Sequence, residues 1–326
     1  AWEPTHQGMS YSFRPEIVSG VAAVELFLSG KITEVFVVPT LFLITSAWSI
    51  QHLAEYLSDK RFGFLAGVVF CTFPVSMMYG RTMLLDTALA GMFISTLHHL
   101  VITEDEDREK FLVWGVMLAI IGMTKYAYLY LGPWICLMYL GLKRPNSAKW
   151  LAAGYLPVFV VFLVKNKLRT GAILGPLQSQ VAGTFASANT IVNEESTYTL
   201  EVFLTEFTAQ WQPLLLCFAL YGSALLMKHR NGPYLFIWMA VMPAVVLHGY
   251  VLDFGWARYS TPWLAMLGLG VPATFVLVKD EFKGRFQKSK LPAIATVLIL
   301  LGAFQPAFAA VEDMGSHSEW RNTYRS

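Results

Sequence analysis

The sequence predicts an all-α, polytopic integral membrane protein of about ten transmembrane helices, and three observations carry that prediction. Hydrophobic residues make up 55% of the 326 positions and charged residues only 14%. Mean hydropathy is +0.49. The apolar residues also gather into runs separated by short charged stretches, the pattern of helices that each cross a bilayer rather than share one water-surrounded core.

A spanning helix needs about 20 apolar residues to cross roughly 30 Å of hydrocarbon. Residues 1–14 do not meet this, being polar at the start, with Glu3 the only acid before Arg14. The stretch 15–30 is apolar but broken by Glu16 and Glu25 and closed by Lys31, which suits a helix lying in the membrane interface. Predicted spans follow at 35–57, 62–79, 83–102, 111–124, 126–142, 148–165, 212–227, 234–251, 259–278 and 291–310. The region 111–142 is too long for one ordinary span and holds Lys125 near its middle. It is predicted to form two short helices meeting at one membrane face, with Gly122 and Pro133 easing the bend.

This divides the chain into an outer-face loop with an interfacial helix (1–33), a transmembrane core (34–310) and an outer-face tail (311–326). The core includes an irregular outer segment, 166–210, rich in Gly, Ser, Thr, Asn and Gln. Loops this long are usually functional or disordered. A cover over a bound substrate and a tolerated insertion are both open readings of it.

Alternating the spans places Lys60, Arg61, Arg108, Lys110, Lys143, Arg144, Lys149, Lys228, Arg230, Lys279, Lys283, Arg285, Lys288 and Lys290 on one face. These are 14 of the 24 basic residues, so that face is predicted to be cytoplasmic. The exceptions are informative. Arg14, Arg81, Lys125, Lys165, Lys167, Arg169 and Arg258 fall on the opposite face, several at helix ends within reach of the headgroup layer. Each alone reads equally well as a snorkelling anchor. As a group they suit a lipid-linked phosphate or pyrophosphate, because Arg binds phosphate through two parallel bonds and Lys supplies a point charge. Arg81 and Asp86 form a pair of opposite charges where one apolar run ends and the next begins, a costly placement that points to a site. The plainer reading of Asp86 is compensation of a helix dipole or pairing with Arg81. For Arg258 and Tyr259, beside Trp256, it is an interfacial aromatic anchor.

Other function classes find little support. A net charge of +2, without a basic stripe carrying interleaved aromatics, argues against a nucleic-acid partner. Cys71, Cys136 and Cys217 each lie inside an apolar run, which argues against a disulfide framework. His98 and His99 lack a third ligand at metal spacing, and Glu104 to Asp107 lacks the glycine and terminal glutamate of a calcium loop. No metal site is therefore expected. Nor does a Walker loop, dinucleotide fingerprint, nucleophile elbow or His-Glu-x-x-His stretch appear, so no cofactor is expected and nucleotide-sugar use has no support.

Four segments carry a family resemblance. They are Ser-Phe-Arg-Pro-Glu-Ile (12–17) leading into Phe-Leu-Ser-Gly-Lys (27–31), then Asp-Lys-Arg-Phe-Gly (59–63) followed by Tyr-Gly-Arg-Thr-Met-Leu-Leu-Asp-Thr-Ala-Leu (79–89), then Gly-Met-Thr-Lys-Tyr (122–126), and Ala-Arg-Tyr-Ser-Thr-Pro-Trp-Leu-Ala-Met-Leu (257–267). In this order they resemble the membrane core of the dolichyl-phosphate-mannose protein mannosyltransferase superfamily, which includes the bacterial lipid A aminoarabinose transferases. The resemblance implies a GT-C-type glycosyltransferase that takes a sugar from a polyprenyl-phosphate carrier and passes it to a protein, lipid or glycan acceptor at the outer or lumenal face. It further implies that Arg81 and Asp86 serve the catalytic site and that Arg14, Lys125, Arg258 and Tyr259 contact the carrier phosphate. The family activates its acceptor with an acid in the first outer loop, where a carboxylate takes a proton from or orients the nucleophile. That first helix and acidic pair are not found before Arg14. The expected base is therefore placed upstream of Ala1, with Glu3 as fallback, and this stretch alone is expected to be inactive and its tail cut short.

Two rival classes stay open at this stage. A transporter or flippase would use the same charges along a permeation path, although no half-to-half similarity appears. A non-catalytic lipid-binding protein would need no acid. No Asn-x-Ser/Thr sequon occurs, so a prokaryotic plasma membrane is expected over the endoplasmic reticulum.

Overall fold

The computed structural model describes residues 27–28, 37–57, 60–72, 85–104, 106–124, 128–171, 173, 213–246 and 268–281. Among them it is all-helical, with nine helices. In chain order these are α1 (Val37–Leu57), α2 (Lys60–Thr72), α3 (Leu85–Ile102), α4 (Arg108–Thr124), α5 (Leu131–Gly141), α6 (Pro145–Thr170), α7 (Pro213–His229), α8 (Asn231–Val246) and α9 (Gly270–Glu281). Of the segment 15–30, expected to form an interfacial helix, Phe27 and Leu28 are described, both helical and exposed. The span expected at 291–310 and the tail at 311–326 lie outside the described residues.

Among the described residues one stretch, Pro145–Leu168, is by itself long and apolar enough to cross a membrane. Gly63–Thr72, Ala88–Ile102, Leu131–Gly141 and Gly232–Pro243 are shorter apolar helices. Large apolar side chains also face outward, among them Leu41, Ile44 and Trp48 on α1 and Leu156, Val160 and Val164 on α6. In water such stripes would be costly. Against acyl chains they are the expected lipid-facing surface.

Close approach of backbones, rather than expulsion of water, joins helices in a bilayer, and glycine permits it. The α4–α6 crossing is built this way. A Cβ placed on Gly115 would meet the Leu151 carbonyl oxygen, with Tyr155 N at 2.9 Å and Gly154 Cα at 3.1 Å. One placed on Gly154 would meet the Leu112 carbonyl oxygen, with Leu112 C at 2.9 Å. Gly222 and Gly270 make a second reciprocal contact between α7 and α9, where the Thr274 hydroxyl donates to the Phe218 carbonyl at 2.5 Å. Gly91 of α3 similarly lies against Phe42 O of α1, 2.9 Å from where its Cβ would be.

The contacts also fix direction. Gly63 and Gly67 of α2 face Gln51 and Ala47 of α1, so α2 returns antiparallel to α1. Gly91 faces Phe42 and His98 stacks near His52, so α3 runs parallel to α1. Cys136 lies near Ala148 while the Tyr155 hydroxyl donates to Leu129 O at 2.8 Å, so α5 and α6 are antiparallel. At one end of the bundle Arg230 Nε donates to Leu57 O at 3.1 Å and Arg144 Nη2 lies 3.5 Å from Thr103 O. These bonds tie the connection after α7 to the end of α1 and the connection after α5 to the end of α3, and each guanidinium meets the negative end of a helix dipole. With α1 and α3 parallel, the four connections lie at one end of the bundle.

Several predicted boundaries are corrected. Helix α6 continues past 165 through Thr170, so the first residues of the segment 166–210 are helical. Phe162 and Asn166 are buried one turn apart, and Gly171 ends the helix at φ +77° with its N–H on Lys167 O at 2.9 Å. Helices α2, α4 and α8 begin earlier than their apolar runs, at Lys60, Arg108 and Asn231, because interfacial polar residues extend a helix into headgroups without breaking it. The bend in 111–142 is confirmed, but its second arm is short. Residues 128–130 form a turn, and the 11 residues of α5 reach only about 17 Å at 1.5 Å per residue. Pro133 sits in the first turn of α5, where its missing N–H costs nothing.

Candidate functional site

The charges singled out in the sequence are expected at the end of the bundle opposite the basic connections. Asp86 lies in the first turn of α3, with its backbone described and its side chain not. Glu3, Arg14, Arg81, Lys125, Arg258 and Tyr259 lie outside the described residues. The structure does establish the frame around two of them. Helix α4 ends at Thr124, immediately before Lys125, and Phe93 of α3 packs on Tyr128 of the following turn with ring centroids 6.3 Å apart. The middle of α3 and the turn between α4 and α5 are therefore neighbours.

That turn is rigidly held. Tyr128 is fully buried and stacks on Tyr130 at 6.2 Å, the Tyr155 hydroxyl grips Leu129 O, and the Thr124 hydroxyl donates to Ile120 O at 2.8 Å. Gly122 allows the chain to fold back, since a Cβ there would sit 2.9 Å from Leu129 Cα. A buried hydroxyl without a partner typically costs about 1–3 kcal/mol, and the Tyr130 hydroxyl has none among the described residues. The alternation Tyr126, Tyr128, Tyr130 was the available sequence signal for this tip, and charge-centred reasoning passed over it.

At the opposite end, His98 and His99 join His52 in a row of rings. Among the described residues no group of His, Cys, Asp or Glu is arranged to hold a metal ion. The acidic connection is solvated. Lys110 donates to Asp107 at 2.6 Å, which holds the Lys110 ammonium above its ordinary value, and both side chains are exposed enough for the pair to matter little.

Over 92% of the chain the fold is similar to that of an Archaeoglobus fulgidus oligosaccharyltransferase solved with a tethered acceptor peptide containing the NVT sequon, with a TM-score of 0.54 and 14% sequence identity. The chain spans about half of that protein, 47% of its length. Residues 21–167 match the sequence profile of the dolichyl-phosphate-mannose-protein mannosyltransferase family, a GT-C family of integral membrane proteins. The resemblance drawn from the sequence is thus met over α1 to most of α6, a stretch that includes Arg81, Asp86 and Lys125 but neither Arg14 nor Arg258. No curated protein matches the chain.

Proposed function

We propose that this chain is the membrane core of a glycosyltransferase that takes a sugar from a polyprenyl-phosphate carrier and passes it to a protein, lipid or glycan acceptor at the extracytoplasmic face of a prokaryotic plasma membrane. The observation that carries the reading is the coincidence of a family match over 21–167 with a GT-C-type fold over nearly the whole chain. Fold alone would not imply activity.

The proposed chemistry follows from the residues. As the sugar leaves the carrier, negative charge grows on the departing phosphate. Arg81, Lys125 and Arg258 would meet that charge, with Arg14 and Tyr259 adding donors at the headgroup level. Asp86, at the start of α3, would orient Arg81 or the acceptor. Glu3 is the acid in this chain that precedes Arg14, and it is the fallback candidate to take the acceptor proton. The segment beyond Gly171 would close over the bound carrier and select the acceptor.

The test is transfer from defined polyprenyl-phosphate sugars by membranes containing the full-length protein, compared with Arg81→Ala and Asp86→Asn. Both variants should keep a monodisperse elution profile and lose about 10²-fold or more in transfer rate, the scale of removing one charge-stabilising donor. Unchanged transfer in either variant would remove that residue from the site. Lipid translocation without transfer would replace the enzyme reading by a transporter.

A further inference from the structure

The connection between α5 and α6 holds a residue that its backbone does not favour. Lys143 adopts φ 59°, in the left-handed region that glycine enters without penalty, and it is the one such non-glycine among the described residues. The turn needs that conformation, because it ends α5 by bonding Lys143 N to Leu140 O at 3.0 Å and Arg144 N to Tyr139 O at 2.9 Å. It does not need a lysine. Glycine would suit the turn better, and non-glycine residues held in this region cluster where a side chain serves a function.

The charge around Lys143 is one-sided. No Asp or Glu occurs between Glu109 and Glu194, whereas Lys143, Arg144 and Lys149 fall close together. Arg144 is half-buried and turned inward, with Nη2 3.5 Å from Thr103 O and its guanidinium carbon 5.2 Å from the centre of the Tyr139 ring. That side of the connection adjoins Glu104 and the acidic stretch where Lys110 holds Asp107. Lys143 and Lys149 are exposed instead. Lys149 Nζ lies 5.5 Å from the centre of the Trp150 ring, the cation–aromatic pair of an interfacial anchor. The last turns of α5, which lead out of the bilayer to Lys143, expose Leu137, Leu140 and Leu142, the first two on one face of the helix.

We propose that Lys143 and Lys149 form a docking site for an anionic phospholipid of the cytoplasmic leaflet. The two ammonium groups meet the phosphate and the charged headgroup, and an acyl chain runs along Leu137 and Leu140. The apolar strip selects a lipid over free phosphate, since a soluble anion has nothing to lay on it. The site stands at the basic end of the bundle and does not depend on the transfer reading.

The test is thermal unfolding of the full chain in nanodiscs of phosphatidylcholine alone and of equal parts phosphatidylcholine and phosphatidylglycerol. The wild-type midpoint should rise by at least about 3 °C with the anionic lipid. Lys143→Gly should unfold at or above the wild-type midpoint in phosphatidylcholine, because its turn is relaxed, yet lose most of that rise. Lys143→Arg should keep it. Lys149→Ala, which leaves the turn untouched, should also lose most of it, and it decides alone if Lys143→Gly does not fold. Lys110→Ala removes a cation that Asp107 holds and should lose none. A wild-type midpoint indifferent to phosphatidylglycerol overturns the site, as does a full rise in Lys143→Gly and Lys149→Ala. An equal loss in Lys110→Ala refutes it too, by showing a diffuse attraction of the whole basic end. A role confined to the α5 dipole would lower the Lys143→Gly midpoint equally in both lipids. If inorganic phosphate added to phosphatidylcholine discs reproduces the rise, the ligand is a soluble anion and the lipid assignment falls.

Discussion

Substitution at the α4–α6 glycine crossing gives the sharpest test of the packing. In Gly154→Ala the new methyl would overlap the Leu112 carbonyl oxygen and sit 2.9 Å from Leu112 C and 3.1 Å from Leu112 Cα. These are backbone atoms of a helix, so no side-chain rotation relieves the clash and the two helices must move apart. Overpacking of this kind costs about 1–3 kcal/mol, against a gain of about 1 kcal/mol for Ala over Gly in a helix interior. The net expectation is a loss of about 0–2 kcal/mol relative to the wild type, hence about 1–3 kcal/mol relative to a Gly→Ala change without a clash, and Gly115→Ala should behave alike. Because one separation of the helices relieves both clashes, the double variant should lose clearly less than the sum of the singles. Gly141→Ala and Gly232→Ala serve as controls, since nothing lies within 4 Å of a Cβ at either position. The assay is equilibrium unfolding in mixed micelles, followed by far-ultraviolet circular dichroism. If Gly154→Ala is as stable as the controls, or if the two crossing variants are strictly additive, the close-contact account is wrong.

Three further outcomes are expected. Glu106→Cys, in an otherwise cysteine-free chain, should react with an impermeant maleimide only in inverted vesicles, because its exposed connection shares the basic end of the bundle; labelling of intact cells would reverse the orientation. Arg230→Met removes the Nε bond to Leu57 O and the charge at the end of α1, and should cost about 0.5–1.5 kcal/mol in the same unfolding assay, with no loss disproving that tie. Lys143 is a non-glycine residue at φ 59° in a helix-ending turn, where Lys143 N bonds Leu140 O at 3.0 Å and Arg144 N bonds Tyr139 O at 2.9 Å, so Lys143→Gly should stabilise the protein by about 1 kcal/mol.

How much of this was legible in the sequence depended on how local the signal was. Hydropathy located α1, α3, α4 and the bend between α4 and α5, because each is encoded within one short window. It missed the true ends of α2, α4 and α6, because hydropathy marks where hydrocarbon begins, whereas Lys60, Arg108 and Asn166 remain helical beyond it. The glycine crossings could not be read at all. Gly115 and Gly154, or Gly222 and Gly270, lie far apart along the chain, and each alone reads as a helix-weakening residue. The same distance hid the ring row, since His98 and His99 are adjacent but His52 is on another helix. For the proposed site the charged residues were visible as exceptions to the positive-inside pattern, while the buried tyrosines of the turn after α4 were not, because they bear no charge.

The parallel pairing of helices bears on how the protein is made. Helix α3 runs beside α1 only after α2 has crossed back, and α6 reaches Gly115 of α4 only after α5 has returned. A tight hairpin can therefore close as soon as its second helix leaves the translocon, but these seams cannot. Until α6 is synthesised, the groove at Gly115 faces lipid, and α5 enters the bilayer as an 11-residue helix too short to hold itself there. The family match over 21–167 covers both of these seams, all but the last turn of α6. A ribosome stalled between Gly115 and Gly154 would thus leave a half-built seam for membrane quality control to recognise.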